Sequence, residues 1–351
     1  MRKLYILLIP VILLTTCVQK IGVDLPEASE KLVVDGLIST MPGPYTVKLT
    51  KTAEYTTGSD GTNFLVRGAR VRISDDAGNS EELVEVSQGI YKTSVGGIQG
   101  QAGRIYTLFI ETATGEKYQS RPELLKPTPA IENIYYEFVE EAPGIEEGFY
   151  VYMDIRDPAP TEDYYRWNWV HYNRLQYCFN ETVPPSTTPT ILSCCGDCWD
   201  IQRCNGCVNV ASDRLVNGAM ISRQLLTIVP YTARSKYFLY YEQHSLTRDA
   251  YKFWKALEEQ SKNVGGIFDK PPATVRGNMY NVEDEEEIVL GYFGVSDIKP
   301  NGIQIDRSKV VKNPSGPPPV IQPPASGPPP PCFPCYESII RTGITPPFWE
   351  D

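Results

Sequence analysis

Nine cysteines, two histidines and 43 acidic residues are the groups in this 351-residue chain that could do chemistry, and the cysteines have the most telling spacing. Six of them, Cys178, Cys194, Cys195, Cys198, Cys204 and Cys207, fall in one loop, residues 178–207, rich in polar and small residues. Cys332 and Cys335 follow a proline-rich stretch. With Cys17 set aside the count is even, which in an exported chain predicts disulfides. On the order of a hundred pairings are open to eight cysteines, so the connectivity is not fixed by spacing. Cys195-x2-Cys198 and Cys204-x2-Cys207 also make two pairs of the kind that hold zinc tetrahedrally through four thiolates. Only five residues separate the pairs, fewer than in a zinc ribbon, and the extra cysteines alongside favour disulfides. A redox role would need a thioredoxin-type helix after the pair, and none is evident.

The histidines are His171, inside an aromatic run, and His244, just before a helical stretch. Neither belongs to an HExxH pattern, and no GxSxG elbow, Walker loop or dinucleotide glycine motif occurs. A glycosidase needs only two carboxylates, but nothing in the sequence singles out a pair. The expectation is therefore a protein without catalytic residues or a cofactor, with a surface hydrolase as the remote alternative.

Cys17 has a different setting. It follows Met1-Arg2-Lys3 and the apolar run from Leu4 to Leu14, which Pro10 interrupts and which is too short to span about 30 Å of hydrocarbon. Residues 1–16 read as a signal peptide, and Leu14-Thr15-Thr16-Cys17 resembles the bacterial lipobox, with a large aliphatic residue three positions before the lipidated cysteine. Acylation there would tether the chain, since each buried methylene contributes about 0.8 kcal/mol and stable attachment takes more than one acyl chain. Val18 stands where an Asp would mark retention at the inner membrane, which points to the outer membrane.

The elements that must position these groups are mostly strands. Hydrophobic content of 41% and charged content of 22% are globular values, and Tyr (22), Pro (30) and Gly (27) are plentiful, as in short strands joined by tight turns. The net charge of −10 disfavours nucleic acid. Residues 17–30 form a membrane-proximal spacer. Residues 31–125 then contain about seven short signals with period two, among them Leu32 to Ile38, Tyr45 to Thr50 and Gly68 to Ile73, the last turning at Asp75 to Asn79 into Glu82 to Val86. This predicts an immunoglobulin-like or transthyretin-like β-sandwich.

Prolines between Pro122 and Pro129 mark a boundary, and residues 126–312 form a second β-rich domain. Its strand Tyr164 to Tyr177 contains Tyr165, Trp167, Trp169, Tyr172 and Tyr177, which at period two fill a sheet face, with the lining of a ligand groove as the alternative. One helix is expected over 247–262, capped by Ser245 or Thr247, with Ala250, Phe253, Trp254 and Leu257 as its buried stripe. The acidic run Glu283 to Glu287 lacks the residues of a calcium loop and reads as a solvated turn before the strand Ile288 to Phe293. Residues 313–331 are a polyproline spacer and 332–351 a cysteine-containing tail whose Phe348 and Trp349 suggest docking onto the body.

Taken in order, several of these pieces resemble one family, the Bacteroidota lipoproteins described as domain of unknown function 4249. They are Leu32-Val33-Val34-Asp35-Gly36, Gly68-Ala69-x-Val71-x-Ile73, Gly103 to Tyr106, Ala250-Tyr251-x-Phe253-Trp254, Gly266-Ile267-Phe268-Asp269-x-Pro271-Pro272, Gly277-Asn278 and Leu290-Gly291-Tyr292-Phe293. Cys332, Cys335, Pro347, Phe348 and Trp349 look like the family's closing Cys-x2-Cys and Pro-x-Phe-Trp. The resemblance implies a receptor-associated lipoprotein that serves a TonB-dependent receptor in ligand capture or gating, and the expected location is the outer membrane, lipid-anchored and surface-exposed rather than periplasmic. The alternative is a structural or adhesion lipoprotein of the cell surface.

Overall fold

The computed structural model describes residues 30–52, 64–156, 158, 161–175, 177–179, 191–203, 208–214, 218–262, 274–314, 332 and 334–350. Within them the chain is mainly β, with several sheets and one α-helix, Arg248–Ser261. Cys17 with its leader, the Gly266 to Pro272 motif and most of the polyproline segment lie outside the described residues.

Alternating patterns became alternating burial. In Thr46–Lys51, Val47 and Leu49 point inward while Thr46 and Lys48 face solvent, and Val71 and Ile73 do the same in Arg70–Asp75. The Asp75 carboxylate forms the next turn by accepting the backbone N–H groups of Ala77 and Asn79, and the hairpin returns through Ser80–Glu82. Val84–Ser87 then leaves that strand for the opposite sheet, with Leu83 buried at the crossing.

Two sheets close the first sandwich. One runs in the order 290–296, 32–39, 46–51, 90–92, 84–87, and the other in the order 279–281, 117–120, 105–111, 70–75, 80–82, with 123–124 also on 105–111. The domain boundary read from the sequence is corrected here, because Met279–Asn281 and Leu290–Ser296, assigned to residues 126–312, complete the first sandwich. Leu290–Ser296 pairs in parallel with Leu32–Ser39, and Phe293 and Val295 join the same core as Val34, Ile38 and Leu49. Gly291 makes the close approach feasible. At a φ of +83° it packs against the Val34 carbonyl oxygen, which would lie 1.9 Å from a Cβ.

In the second unit a three-stranded sheet (131–139, 148–156, 220–230) packs over a six-stranded one built on Lys236–Leu246 and Tyr164–Arg174. Tyr165, Trp167, Leu239 and Tyr241 are buried between them with Trp169 partly buried against the same core, so these aromatics fill a sheet face. Tyr172 lies on the opposite face, and the side chain of Tyr177 lies outside the described residues. Thr247 caps the helix by accepting the Ala250 N–H, and Ala250 and Phe253 bury against Tyr164, Leu246 and Tyr292. No helix among the described residues is long and apolar enough to cross a membrane.

Candidate functional site

Three regions gather the chain's polar and sulfur chemistry. The first is a cleft of about 1150 Å³ where the helix meets the first sandwich. On its floor Glu123, 5% exposed, accepts hydrogen bonds from Thr247 Oγ1 at 2.6 Å, Tyr292 Oη at 2.5 Å and Asn278 Nδ2 at 3.3 Å. Asn278 is held in turn by the carbonyl and amide of Phe293. Burial pushes the Glu123 carboxyl above the usual range against these donors, and it also raises the Tyr292 hydroxyl, with the Glu123 charge adding to the effect. Both oxygens of Glu123 are engaged, so the group holds the helix cap to two strands. It is not a free base facing the cleft.

The Pro122 to Pro129 boundary is part of the same junction. Thr128 donates its N–H to Asp297 Oδ2 at 2.8 Å, and Asp297 Oδ1 accepts Thr40 Oγ1 at 2.7 Å. Gln243 Nε2 donates to Thr128 Oγ1 and to the Pro129 carbonyl, while Gln243 Oε1 accepts the Trp167 indole N–H. Ser245, weighed as a cap, donates instead to the Lys126 carbonyl and accepts the Asp297 N–H. The predicted boundary is a partly buried, hydrogen-bonded seam.

A second cluster lies on the outer face of the large sheet, under the helix. The Arg166 guanidinium sits 3.5 Å from the Trp254 ring centroid, with Nε buried and unpaired, and burial pushes its pKa down to about 10. His244 Nε2 is 3.2 Å from Glu242 Oε2 and 3.3 Å from Asn168 Nδ2. It can donate to the first or accept from the second, not both at once. The His244 bond holds the Glu242 carboxyl low, while burial disfavours protonated His244. His171 lies on the other face, and burial pushes it down to about 4. The structure therefore separates the two histidines on opposite faces of one sheet and buries both.

The third region is the cysteine loop. Cys178 bonds Cys194, Cys195 bonds Cys332, and Cys198 bonds Cys335. Cys195 and Cys198, weighed above as zinc ligands, are thus half-cystines with no thiolate to offer, and Cys204 and Cys207 lie outside the described residues. The sulfurs of Cys178, Cys194 and Cys198 lie within 4.8 Å of one another because two disulfides are adjacent. Arg341–Thr342 adds a short strand to the edge of the large sheet, Trp349 packs edge-on against Trp199 at 4.4 Å, and Phe348 stacks on Tyr240 at 6.3 Å. The acidic run Glu283 to Glu287 is a turn, in which Asn281 Oδ1 accepts the N–H groups of Glu283 and Asp284.

Sequence reasoning missed Glu123 and Arg166. Arg166 carried a signal, since it is a charge inside an aromatic strand, on the face opposite Trp167.

The sequence profile of the family described as domain of unknown function (DUF4249) matches residues 18–300. The chain belongs to that family. The match stops before Cys332 to Trp349, which the sequence resemblance had included, so the covalently docked tail lies beyond the family's matched region. No curated protein matches the chain. Among solved structures, a point mutant of Salmonella alpha-2-macroglobulin is similar over 64% of this chain and 14% of its own, with 12% identity and a TM-score of 0.19. The chain thus spans about a seventh of that protein's length, and so slight a likeness carries no argument.

Proposed function

We propose that this protein is a lipid-anchored accessory of the outer membrane, tethered at Cys17 and surface-exposed, that captures ligand or gates access beside a TonB-dependent transporter. The transporter comes from the family resemblance, and the anchor from the apolar leader that ends at Cys17. The family match begins at residue 18, directly after that cysteine. The observation that carries binding over catalysis is the cleft. Its one deeply buried carboxylate is consumed in structure, and what it presents to solvent is five arginines and lysines against two carboxylates, Asp249 and Glu259, beside apolar walls.

The test is to solubilise the outer membrane in mild nonionic detergent, recover the protein through a linker-borne C-terminal tag and identify what accompanies it. Stoichiometric recovery of a TonB-dependent barrel is expected. Recovery of the protein alone in several mild detergents would refute the accessory role. A Cys17→Ala chain that still partitions with membranes would refute the anchor.

The tail supports a second reading, adhesion. Ile339 and Ile340, 84% and 60% exposed, occupy the centre of a turn closed between Ser338 and Arg341, and Ile344 is 73% exposed. Apolar side chains on a clamped turn suit contact with another macromolecule, which a transporter would also supply.

A further inference from the structure

The cleft reverses the sign of the molecule. The whole chain has 43 acidic and 33 basic residues, yet Arg121, Arg248, Lys252, Lys262 and Arg276 line this cleft against Glu123, Asp249 and Glu259. Several of these charges are already matched. Lys252 pairs with Asp249 at 3.0 Å, Lys262 with Glu258 at 2.8 Å, and Glu123 is enclosed by its three donors. Three arginines and Glu259 remain. Arg121, Arg248 and Arg276 have no carboxylate within ion-pair distance among the described residues, and Arg121 has only the distant Tyr280 ring beside it, at 5.9 Å.

Arg121, Arg248 and Arg276 are all exposed at the one concavity, and an excess of one sign in a cleft raises the local concentration of the opposite ion. Arginine also specifies the ligand more closely than lysine would, because its planar fork matches carboxylate, sulfate and phosphate oxygens two at a time. A single inorganic anion would satisfy one guanidinium and leave most of the space empty. The volume of about 1150 Å³ is somewhat above that of ordinary ligand sites, roughly 300–1,000 Å³. The walls between the arginines are apolar, formed by Pro122, Phe253, Ala256 and Val275.

We propose that this cleft binds an oligo-anionic small ligand, with two or more carboxylate, sulfate or phosphate groups on a sugar-like or apolar body, held by Arg121, Arg248 and Arg276. The proposal rests on the reading that the protein works by binding, and it names the ligand class of that site.

Calorimetric titration of the full-length lipoprotein in nonionic micelles tests it. The probes are a heparin-derived hexasaccharide for sulfate, an oligogalacturonate for carboxylate, inositol hexakisphosphate for phosphate and maltohexaose as the neutral control. At least one charged probe is expected to bind, more weakly as salt rises, while maltohexaose does not; which charged probe binds tightest identifies the acid group. The triple variant Arg121→Gln, Arg248→Gln, Arg276→Gln should lose about tenfold or more in affinity while unfolding at the same temperature as the parent. A control pair on the first sandwich, Arg70→Gln with Arg72→Gln, should bind as the parent does. The site is overturned if no charged probe binds, if maltohexaose binds equally, if the triple variant binds as well as the parent, or if the control pair loses as much affinity. Detergent recovery of the transporter by the triple variant separates the two proposals. A barrel that still accompanies a protein unable to bind any anion leaves the accessory role standing and removes this one.

Discussion

Two junctions bring together segments far apart in this chain, and they are fastened in opposite ways. At the cleft, Glu123 meets Asn278 and Tyr292 across more than 150 residues entirely through hydrogen bonds, in a seam that continues through Thr128, Gln243 and Asp297. At the tail, Cys332 and Cys335 reach back 137 residues each to Cys195 and Cys198 through covalent bonds, with Trp349 as the principal apolar plug. The difference follows from local composition. The cleft seam has large cores on both sides and can enclose polar groups, whereas residues 334–350 are mostly exposed and have too little apolar area to order themselves. A hydrogen-bonded seam answers to pH and mutation, and a stapled one to redox potential.

The sharpest way to break the comparison is to remove the staples in steps. The two tail disulfides close nearly the same loop, so removing the first by Cys195→Ser with Cys332→Ser should cost less than about 1 kcal/mol, because the second still closes it. Removing both should cost about 4 to 5 kcal/mol on the chain-entropy account, read as a loss of urea midpoint. Equal, additive losses would mean that the two bridges act on different structures. On the other side, Glu123→Ala removes the acceptor of buried Tyr292 and Asn278 and of half-buried Thr247 and should cost about 3 kcal/mol, with no change under reducing conditions. Trp349→Ala should cost less, about 2 kcal/mol, since that ring is only half-buried and the disulfides keep the tail nearby. Loss of near-ultraviolet dichroism from the Trp199 pair would report it.

The smallest effect is the most diagnostic. The carboxyl of Glu123 is raised by burial, so the folded state holds its proton more tightly than the unfolded chain does. Its contribution is therefore fully present below the unfolded value, about 4.3, and is lost as pH rises through the higher folded value. Other carboxylates here, Glu242 and Asp306 among them, are lowered and give the opposite slope. The comparison must therefore be a difference between the parent and Glu123→Gln. Relative to the parent, the variant should gain stability as pH rises above about 4.3. A flat difference would place the Glu123 carboxyl at its ordinary value.

Much of the fold was legible because it is local. Period-two alternation located the strands of the first sandwich, and the 3.6-residue stripe from Ala250 to Leu257 located the helix and its buried face. What was not legible is long-range. Nothing within Leu290 to Ser296 says that its partner is Leu32 to Ser39, and so the domain boundary was misplaced. Cysteine spacing gave the existence of bridges but not that Cys195 and Cys198 each reach their counterpart in the tail. Glu123 sits in an unremarkable Pro-Glu-Leu-Leu stretch. Its role exists only because Thr247, Asn278 and Tyr292 arrive from elsewhere.

The parallel pair of the first strand with residues 290–296 also sets a timetable. A chain synthesised N-terminus first presents Leu32 to Ser39 at once, but the strand that covers its free edge comes some 257 residues later. Until then the opening sheet has an uncovered edge and an incomplete core, the state in which strands pair with the wrong neighbour. The first domain to appear is thus among the last to close, and a chain cut anywhere before Leu290 should accumulate as an aggregate or a chaperone client. Its loss would begin at the end of the sequence farthest from the cut.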